Sequence, residues 1–154
     1  MDKQIVDECL QKKLSLVSLF LFLILPSCLA QPFASIEVEV SGVRNIRGDI
    51  CLLLFNSADG FPDKYEKAFK LLKVPAQKGA VSAEFSQIPS GTYGISVLHD
   101  ENRNEKIDKN WLGIPKEQYG ASNNARATFG PPSFKAAQFQ HAEVTTTTVR
   151  LQVK

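Results

Sequence analysis

Short apolar segments with a strand-like pattern recur along the chain from residue 36 onward, separated by turn-forming residues. In the first segment, Ile36, Val38 and Val40 alternate with polar residues, which is the period-two pattern of a strand with one solvent-facing side. Ile50–Phe55 is instead apolar throughout, which predicts a central strand covered on both faces. About seven strands of this kind predict an all-β fold, a single antiparallel β-sandwich. The other main strands are expected at Leu71–Val74, Val81–Phe85, Thr92–Leu98 and Val144–Val153.

The first 30 residues have the composition of a targeting segment. Lys12 and Lys13 precede the apolar run Leu14–Leu25, and small residues follow that run. The run is about twelve residues long, which is short for a membrane span. We therefore predict a signal peptide over residues 1–30 and a β-sandwich domain over residues 31–154.

Two modes of leader processing stay open. Cleavage after Ala30 would give a periplasmic or secreted protein that has no transmembrane span after leader removal. The residues before Cys28 also resemble a lipoprotein box, and lipidation of Cys28 would give a lipid-anchored envelope protein. Cleavage after Ala30 would leave Cys51 alone in the domain, where it cannot form an internal disulfide and is expected to be buried and inert.

The charge of the predicted domain argues against nucleic acid as a partner. Three of the 18 basic residues and three of the 16 acidic residues lie in the first 30 positions, so 15 and 13 remain. The resulting net charge of +2 is interspersed along the chain. A nucleic-acid interface needs a clustered basic face, so the partner is expected to be an envelope protein or a carbohydrate.

Oxygen-bearing side chains are spaced at alternate positions in the stretch that follows the strand ending near Leu98. This spacing is typical of a loop that wraps a hard cation such as calcium, which prefers six to eight oxygen ligands. Two positions depart from that pattern, since Glu105 stands where the loop usually has glycine and Leu112 where it usually has a bidentate glutamate. Glu117 closes such a site only by folding back. The predicted ligands are the side chains of Asp100, Asn102, Asn104 and Asp108 and the carbonyl of Lys106.

A loop with this composition has a second interpretation without a metal. Asp and Asn side chains also accept hydrogen bonds from their own backbone, so the same residues predict an Asx-rich loop that caps itself. Both interpretations stay open at this point.

The region from Glu101 to Pro132 is long and irregular for a compact domain, and such regions are usually functional or disordered. It carries Trp111, Ile114, Tyr119 and Phe129, so we expect it to pack against the sheet. The alternative is that aromatic side chains form a platform for a sugar or a peptide. The candidate ligand-binding residues of that platform are Trp111, Tyr119 and Asn123.

The case for an enzyme rests on few residues. His99 could pair with a nearby carboxylate or with the hydroxyl of Ser122 or Ser133, but a catalytic triad is recognised by geometry. The sequence lacks the Gly-x-Ser-x-Gly elbow, and its two histidines do not supply a zinc site. A non-enzymatic binding or structural module is therefore the expected function, with a small exported hydrolase using His99 as the alternative. A structural module that pairs its edge strands with a partner is a further possibility.

Two stretches resemble known families. Phe85–Val97 resembles the hairpin of prealbumin-like and other immunoglobulin-like extracellular modules. The sequence His99–Ala125, followed by Gly130–Phe134 and Ala137–Phe139, resembles the bacterial exported family catalogued as domain of unknown function 2141. The similarity runs from Ile36 to Val153 and implies a secreted or periplasmic β-sandwich without an established activity. The chain departs from that family at Arg103, Glu105 and Gln118, where glycine is frequent.

Overall fold

A computed structural model of the protein describes residues 34–142 and 145–154. The predicted leader and its lipidation residue, Cys28, lie outside the described residues. The described part contains eight strands and one short α-helix. The strands are β1 (Ala34–Val43), β2 (Asp49–Phe55), β3 (Lys70–Pro75), β4 (Gly79–Ile88), β5 (Gly91–Asp100), β6 (Tyr119–Ala121), β7 (Phe139–His141) and β8 (Thr147–Gln152). The helix α1 spans Phe134–Ala137, and single 3₁₀ turns span Tyr65–Lys67 and Ser122–Asn124.

The strands form two sheets that pack against each other, as the strand pattern predicts. One sheet has the order β4-β1-β8, and the other has the order β3-β2-β5-β6 with β7 also paired to β5. The apolar positions of β1 face inward, where Ile36, Val38 and Val40 meet Leu52 and Val97 of the second sheet in the main core. Burial of these side chains stabilises the sandwich by roughly 1.5–3 kcal/mol each.

The prediction that β2 is covered on both faces is confirmed. Ile50, Leu52 and Leu54 enter the core between the sheets, whereas Cys51 and Leu53 enter a second, smaller core on the outer face of the five-stranded sheet. That outer core is closed by side chains from the connecting segments rather than by a third sheet. These covering residues are Phe61, Tyr65, Ala68, Ile107 and Phe134.

The prediction of a wholly antiparallel sandwich is wrong at one pair of strands. β8 runs parallel to β1, with Val38 opposite Val149 and Val40 opposite Leu151. The reason is the path of the chain, because β7 still pairs with β5 in the five-stranded sheet and β8 then joins the other sheet. The prediction also lacked two three-residue strands, β6 and β7.

The end of β5 lies close to the turn between β1 and β2. Gly48 has a φ of +68°, and a Cβ atom added there would lie 1.8 Å from the Asp100 carbonyl oxygen. Only glycine tolerates both this conformation and this approach. The start of the loop that follows β5 is thereby held against the sandwich.

Candidate functional site

The loop that follows β5 is organised around Asp100. This side chain is 1 % exposed, and its two carboxylate oxygens accept the main-chain N–H groups of Asn104, at 3.0 Å, and Glu105, at 2.8 Å. Hydrogen bonds from donors to a carboxylate are stronger than neutral ones, so this pair fixes the turn. We call residues 100–108 the Asx loop.

The structure brings together the four side chains that the spacing predicts. Asn102 and Asn104 donate from their amide nitrogens to the two carboxylate oxygens of Asp108, at 2.7 and 3.0 Å. The amide oxygen of Asn102 accepts the backbone N–H of Asn104 at 3.2 Å. The amide oxygen of Asn104 accepts the backbone N–H of Lys106 at 2.9 Å. The Asx loop therefore caps its own backbone, which is the interpretation of this spacing that requires no metal.

Glu117 folds back to close the loop. Its carboxylate is buried and accepts the N–H of Glu101 at 2.9 Å and the N–H of Asp108 at 3.0 Å. It therefore connects both ends of the Asx loop to the segment that leads into β6.

Two residues of the Asx loop adopt the left-handed conformation that favours glycine. Arg103 has a φ of +62° and Glu105 a φ of +59°. Each side chain forms an ion pair with a neighbouring strand, Arg103 with Asp49 at 2.9 Å and Glu105 with Lys73. These contacts hold the strained residues against β2 and β3.

The oxygen chemistry of the Asx loop suits a hard cation rather than a soft one. In the predicted ligand set, Asp100 and Asp108 would supply carboxylates, Asn102 and Asn104 amide oxygens, and Lys106 its carbonyl. Each amide oxygen accepts one N–H and retains a second lone pair. Within residues 34–142 and 145–154, no group of three His, Cys, Asp or Glu side chains is placed to hold a metal.

A groove lies over the outer face of the five-stranded sheet, next to the Asx loop. Its volume is about 700 Å³, and Leu53 and Leu98 form part of its floor. Residues 62–66 form one wall, and the Ser96 hydroxyl fixes this wall by donating to the Pro62 carbonyl at 2.6 Å. The other walls come from residues 104–107 and 109, 113–115, 119–120 and 130–132. We call this cavity the outer groove.

A buried polar pair lies in the outer core, where Tyr65 also lines the outer groove and Cys51 does not. The Tyr65 hydroxyl is buried beside Cys51 and makes no hydrogen bond of normal geometry with a described residue. Burial raises the pKa of the Cys51 thiol to about 11 and raises the pKa of Tyr65 as well. The prediction that Cys51 is buried is confirmed, and its thiol stays protonated at neutral pH.

The segment between the Asx loop and Glu117 forms a rigid turn. Asn110 accepts the N–H groups of Leu112 and Ile114 through its side chain, both at 2.9 Å, and its carbonyl accepts the N–H of Gly113 at 2.9 Å. Trp111 stands at the tip of this turn and is 90 % exposed. We call residues 110–114 the Trp111 turn.

The expectation that the aromatic residues of this region pack against the sheet is wrong for two of them. Trp111 is 90 % exposed and Phe129 is 92 % exposed. For Trp111 the physical reason is that the Asn110 side chain accepts the backbone N–H groups of its turn, while Ile107 anchors the preceding loop on the outer core. Tyr119 differs, because it begins β6, is only 39 % exposed and lines the outer groove.

The Asn123 side chain hydrogen-bonds to backbone groups and does not line the outer groove. Its amide nitrogen donates to the carbonyl of Gln138 at 2.9 Å, just after α1. The neighbouring Ser122 hydroxyl accepts the N–H of Ile95 at 2.9 Å and donates to the carbonyl of Ala137. Trp111, Tyr119 and Asn123, the predicted ligand-binding residues, therefore lie in three different environments.

The residues of the hydrolase alternative are each engaged with backbone groups. His99 is fully buried, and its Nε2 lies 2.8 Å from the Arg47 carbonyl oxygen. Its Nδ1 lies 3.4 Å from the Gln118 side-chain oxygen. Ser122 holds β5 and α1 together, and Ser133 caps the first turn of α1.

Sequence reasoning did not identify most residues of the outer groove. Tyr65 begins a short 3₁₀ turn, and Leu53 and Leu98 belong to predicted strands. The one available signal is the uninterrupted apolar character of β2, which requires a covered outer face and therefore segments that lie over it.

Two packed sheets, an Asx loop and an outer groove define a small β-rich module whose loop and groove walls come from the segments that connect its strands. The family model described as "Uncharacterized protein conserved in bacteria (DUF2141)" matches residues 38–149, so the chain belongs to this family, as its motifs predict. No curated protein and no solved structure matches the chain. In the described part of the chain, no helix has the length and apolar character to cross a membrane.

Proposed function

We propose that the protein is a non-enzymatic, exported binding module of the bacterial envelope that holds a carbohydrate chain in the outer groove. The observation that carries this proposal is the groove itself, whose volume of about 700 Å³ falls in the range of small-molecule binding sites. Export rests on the predicted leader over residues 1–30. An immunoglobulin-like or prealbumin-like relationship of the sandwich likewise stays a prediction from the hairpin Phe85–Val97.

The lining of the outer groove suits a sugar. Tyr119 and Ile114 offer apolar surface on which the C–H face of a sugar ring can pack. Asn104, Lys106 and Lys109 lie on the same lining and offer hydrogen-bond donors for hydroxyl groups. This mixture of apolar faces and a few polar groups is the usual composition of a ligand site.

A protein segment is the second candidate for the ligand. Strand addition uses the free backbone edge of a sheet, whereas the outer groove lies over the face of β2 and β5. The groove therefore offers side chains rather than a row of backbone groups, which favours the carbohydrate.

The Asx loop positions one wall of the outer groove. Asn104, Glu105, Lys106 and Ile107 line the groove. The Asp100 carboxylate holds the backbone of the first two, and the Asp108 carboxylate holds the Asn104 side chain. Bound calcium would add an ionic cross-link among the loop oxygens. We propose this metal as a stabiliser of the wall, with no part in a reaction.

A calorimetric titration with oligomers of glucose, galactose and N-acetylglucosamine tests the proposal. We expect one class to bind and Tyr119→Ala to weaken it by at least about tenfold, because truncating a central aromatic contact costs about 2 kcal/mol. Phe129→Ala is the matched control, since Phe129 is exposed and does not line the groove. Equal affinities in both variants would reject the outer groove, and binding of extended peptides alone would reject the carbohydrate.

A further inference from the structure

The Trp111 turn presents apolar side chains to solvent, although the outer core is complete without Trp111 and Leu112. Trp111 is 90 % exposed, Leu112 59 % and Ile114 56 %. Exposed apolar side chains grouped in this way mark interaction sites. We propose that this turn docks on the surface of an anionic lipid bilayer.

The backbone of the turn is built to project these side chains. The N–H of Asn110 donates to the carbonyl of Ile114 at 2.8 Å, and the N–H of Lys116 donates to the carbonyl of Asp108 at 2.8 Å. Lys109 and Pro115 pair between these two bonds, so residues 108–116 form a short paired stem. A rigid stem loses little conformational entropy when its tip enters a surface.

The charge around the stem favours anionic headgroups. Lys106, Lys109 and Lys116 lie within five positions of Trp111 in the chain and are exposed, and none forms an ion pair within the described residues. Glu105 is neutralised by Lys73, and Asp108, which keeps its charge, is the one acid of the stem residues 108–116 beside Lys109 and Lys116. Tryptophan and leucine beside lysines are typical of segments that lie in the interface of an anionic membrane.

Other occupants fit the turn less well. A second copy of the chain would bring the same lysines into proximity, and like charges would oppose that contact. A sugar needs a concave site, whereas Trp111 and Leu112 do not line the outer groove. The two proposed sites share Lys106, Lys109 and Ile114, whereas Trp111 and Leu112 belong to the bilayer site alone, so the emission of Trp111 reports on the bilayer and not on the groove.

The sole tryptophan of the chain gives a site-specific test. The full chain is mixed with vesicles of phosphatidylglycerol and phosphatidylethanolamine that carry brominated acyl chains, and the fluorescence of Trp111 is recorded. We expect a blue shift and quenching, with much weaker quenching on phosphatidylcholine vesicles. An attached protein whose Trp111 emission stays that of a solvent-exposed indole would overturn the proposal, because another segment would then make the contact.

Matched variants separate the apolar tip from the basic stem. Lys109→Glu with Lys116→Glu should lower the affinity for anionic vesicles by about tenfold or more, whereas Lys135→Glu, on α1, should leave it unchanged. Leu112→Ser should weaken quenching several-fold, whereas Ile46→Ser, at an exposed apolar residue of another turn, should not. Equal effects of test and control variants, or concentration-dependent shielding of Trp111 without vesicles, would overturn the proposal.

Discussion

The carboxylate of Glu117 accepts the main-chain N–H of Asp108 at 3.0 Å, which joins the end of the Asx loop to the segment before β6. Its other oxygen accepts the N–H of Glu101 at 2.9 Å. One buried side chain therefore closes a loop in which much of the capping is otherwise local.

Replacing this carboxylate should destabilise the fold. Glu117→Gln retains one acceptor but places an amide NH₂ against a backbone donor, and a lost charged hydrogen bond costs about 1.5–3 kcal/mol. We expect urea denaturation to show a loss of about 2 kcal/mol. The exposed Glu105→Gln should lose less than about 1 kcal/mol, because its ion pair is at the surface. Similar losses in the two variants would contradict a special role for Glu117.

Replacing Glu105 by glycine should destabilise the Asx loop less than replacing it by alanine. Glu105 has a φ of +59°, and a residue with a Cβ atom pays roughly 1 kcal/mol or more for that conformation. Both variants lose the ion pair with Lys73, so their comparison isolates the backbone. We expect Glu105→Gly to be more stable than Glu105→Ala by about 1 kcal/mol. The reverse order in thermal or urea unfolding would show that the residue is not left-handed in solution.

Glu101 should make stability depend on pH in the acidic range. Burial acts to raise the pKa of Glu101, but hydrogen bonds from Arg44 and Asn45 and the charges of Arg44 and Arg47 bring it below its ordinary value of 4.5. A lowered folded-state pKa contributes stability that is fully present above the unfolded value and is lost as pH falls through the folded value.

The wild-type protein should therefore exceed Glu101→Gln in stability above pH 4.5, and the difference should shrink as the pH falls below it. Urea midpoints of both proteins from pH 7 down to about 3 measure this difference. Glu66→Gln, at an exposed residue, is the control, and its stability should stay close to that of the wild type over the same pH range. If the difference in urea midpoint between wild type and Glu101→Gln stays constant with pH, the ion pairs of Glu101 with Arg44 and Arg47 do not lower its pKa.

Calcium should raise the melting temperature if the loop oxygens bind it. At a hundredfold excess over the dissociation constant, binding to the native state alone adds about 2.7 kcal/mol. Asp100→Asn should abolish the shift, whereas Lys106→Ala should retain it, because Lys106 would contribute its carbonyl alone. Asp59→Asn, at an exposed carboxylate in a different segment, is the control. An unchanged melt at millimolar calcium, compared with chelator, would leave the self-capped loop as the complete description.

Local patterns in the sequence predict much of this fold. The apolar run Ile50–Phe55 predicts a doubly covered strand, and its alternate side chains do enter two separate cores. The period-two alternation of Ile36, Val38 and Val40 likewise predicts one face of β1. The strands β6 and β7 have three residues each, which is too short to establish a period.

Features that depend on distant parts of the chain were not predictable in the same way. The parallel pairing of β1 with β8 depends on where the chain changes sheet, and no local pattern encodes that change. The convergence of Asp100, Asn104 and Asp108 was predictable because the residues are neighbours in sequence. The outer groove was not, because its walls come from segments on both sides of β5 that meet only in the folded chain.

The most direct test of the account is an amide chemical-shift titration of the isotopically labelled protein with the oligosaccharide panel. We expect shifts at groove residues such as Leu53, Leu98, Lys106 and Tyr119, and we expect these shifts to be lost in Tyr119→Ala. Shifts confined to the edge strands β3 and β4, or no shift with any member of the panel, would contradict the outer groove as the carbohydrate site.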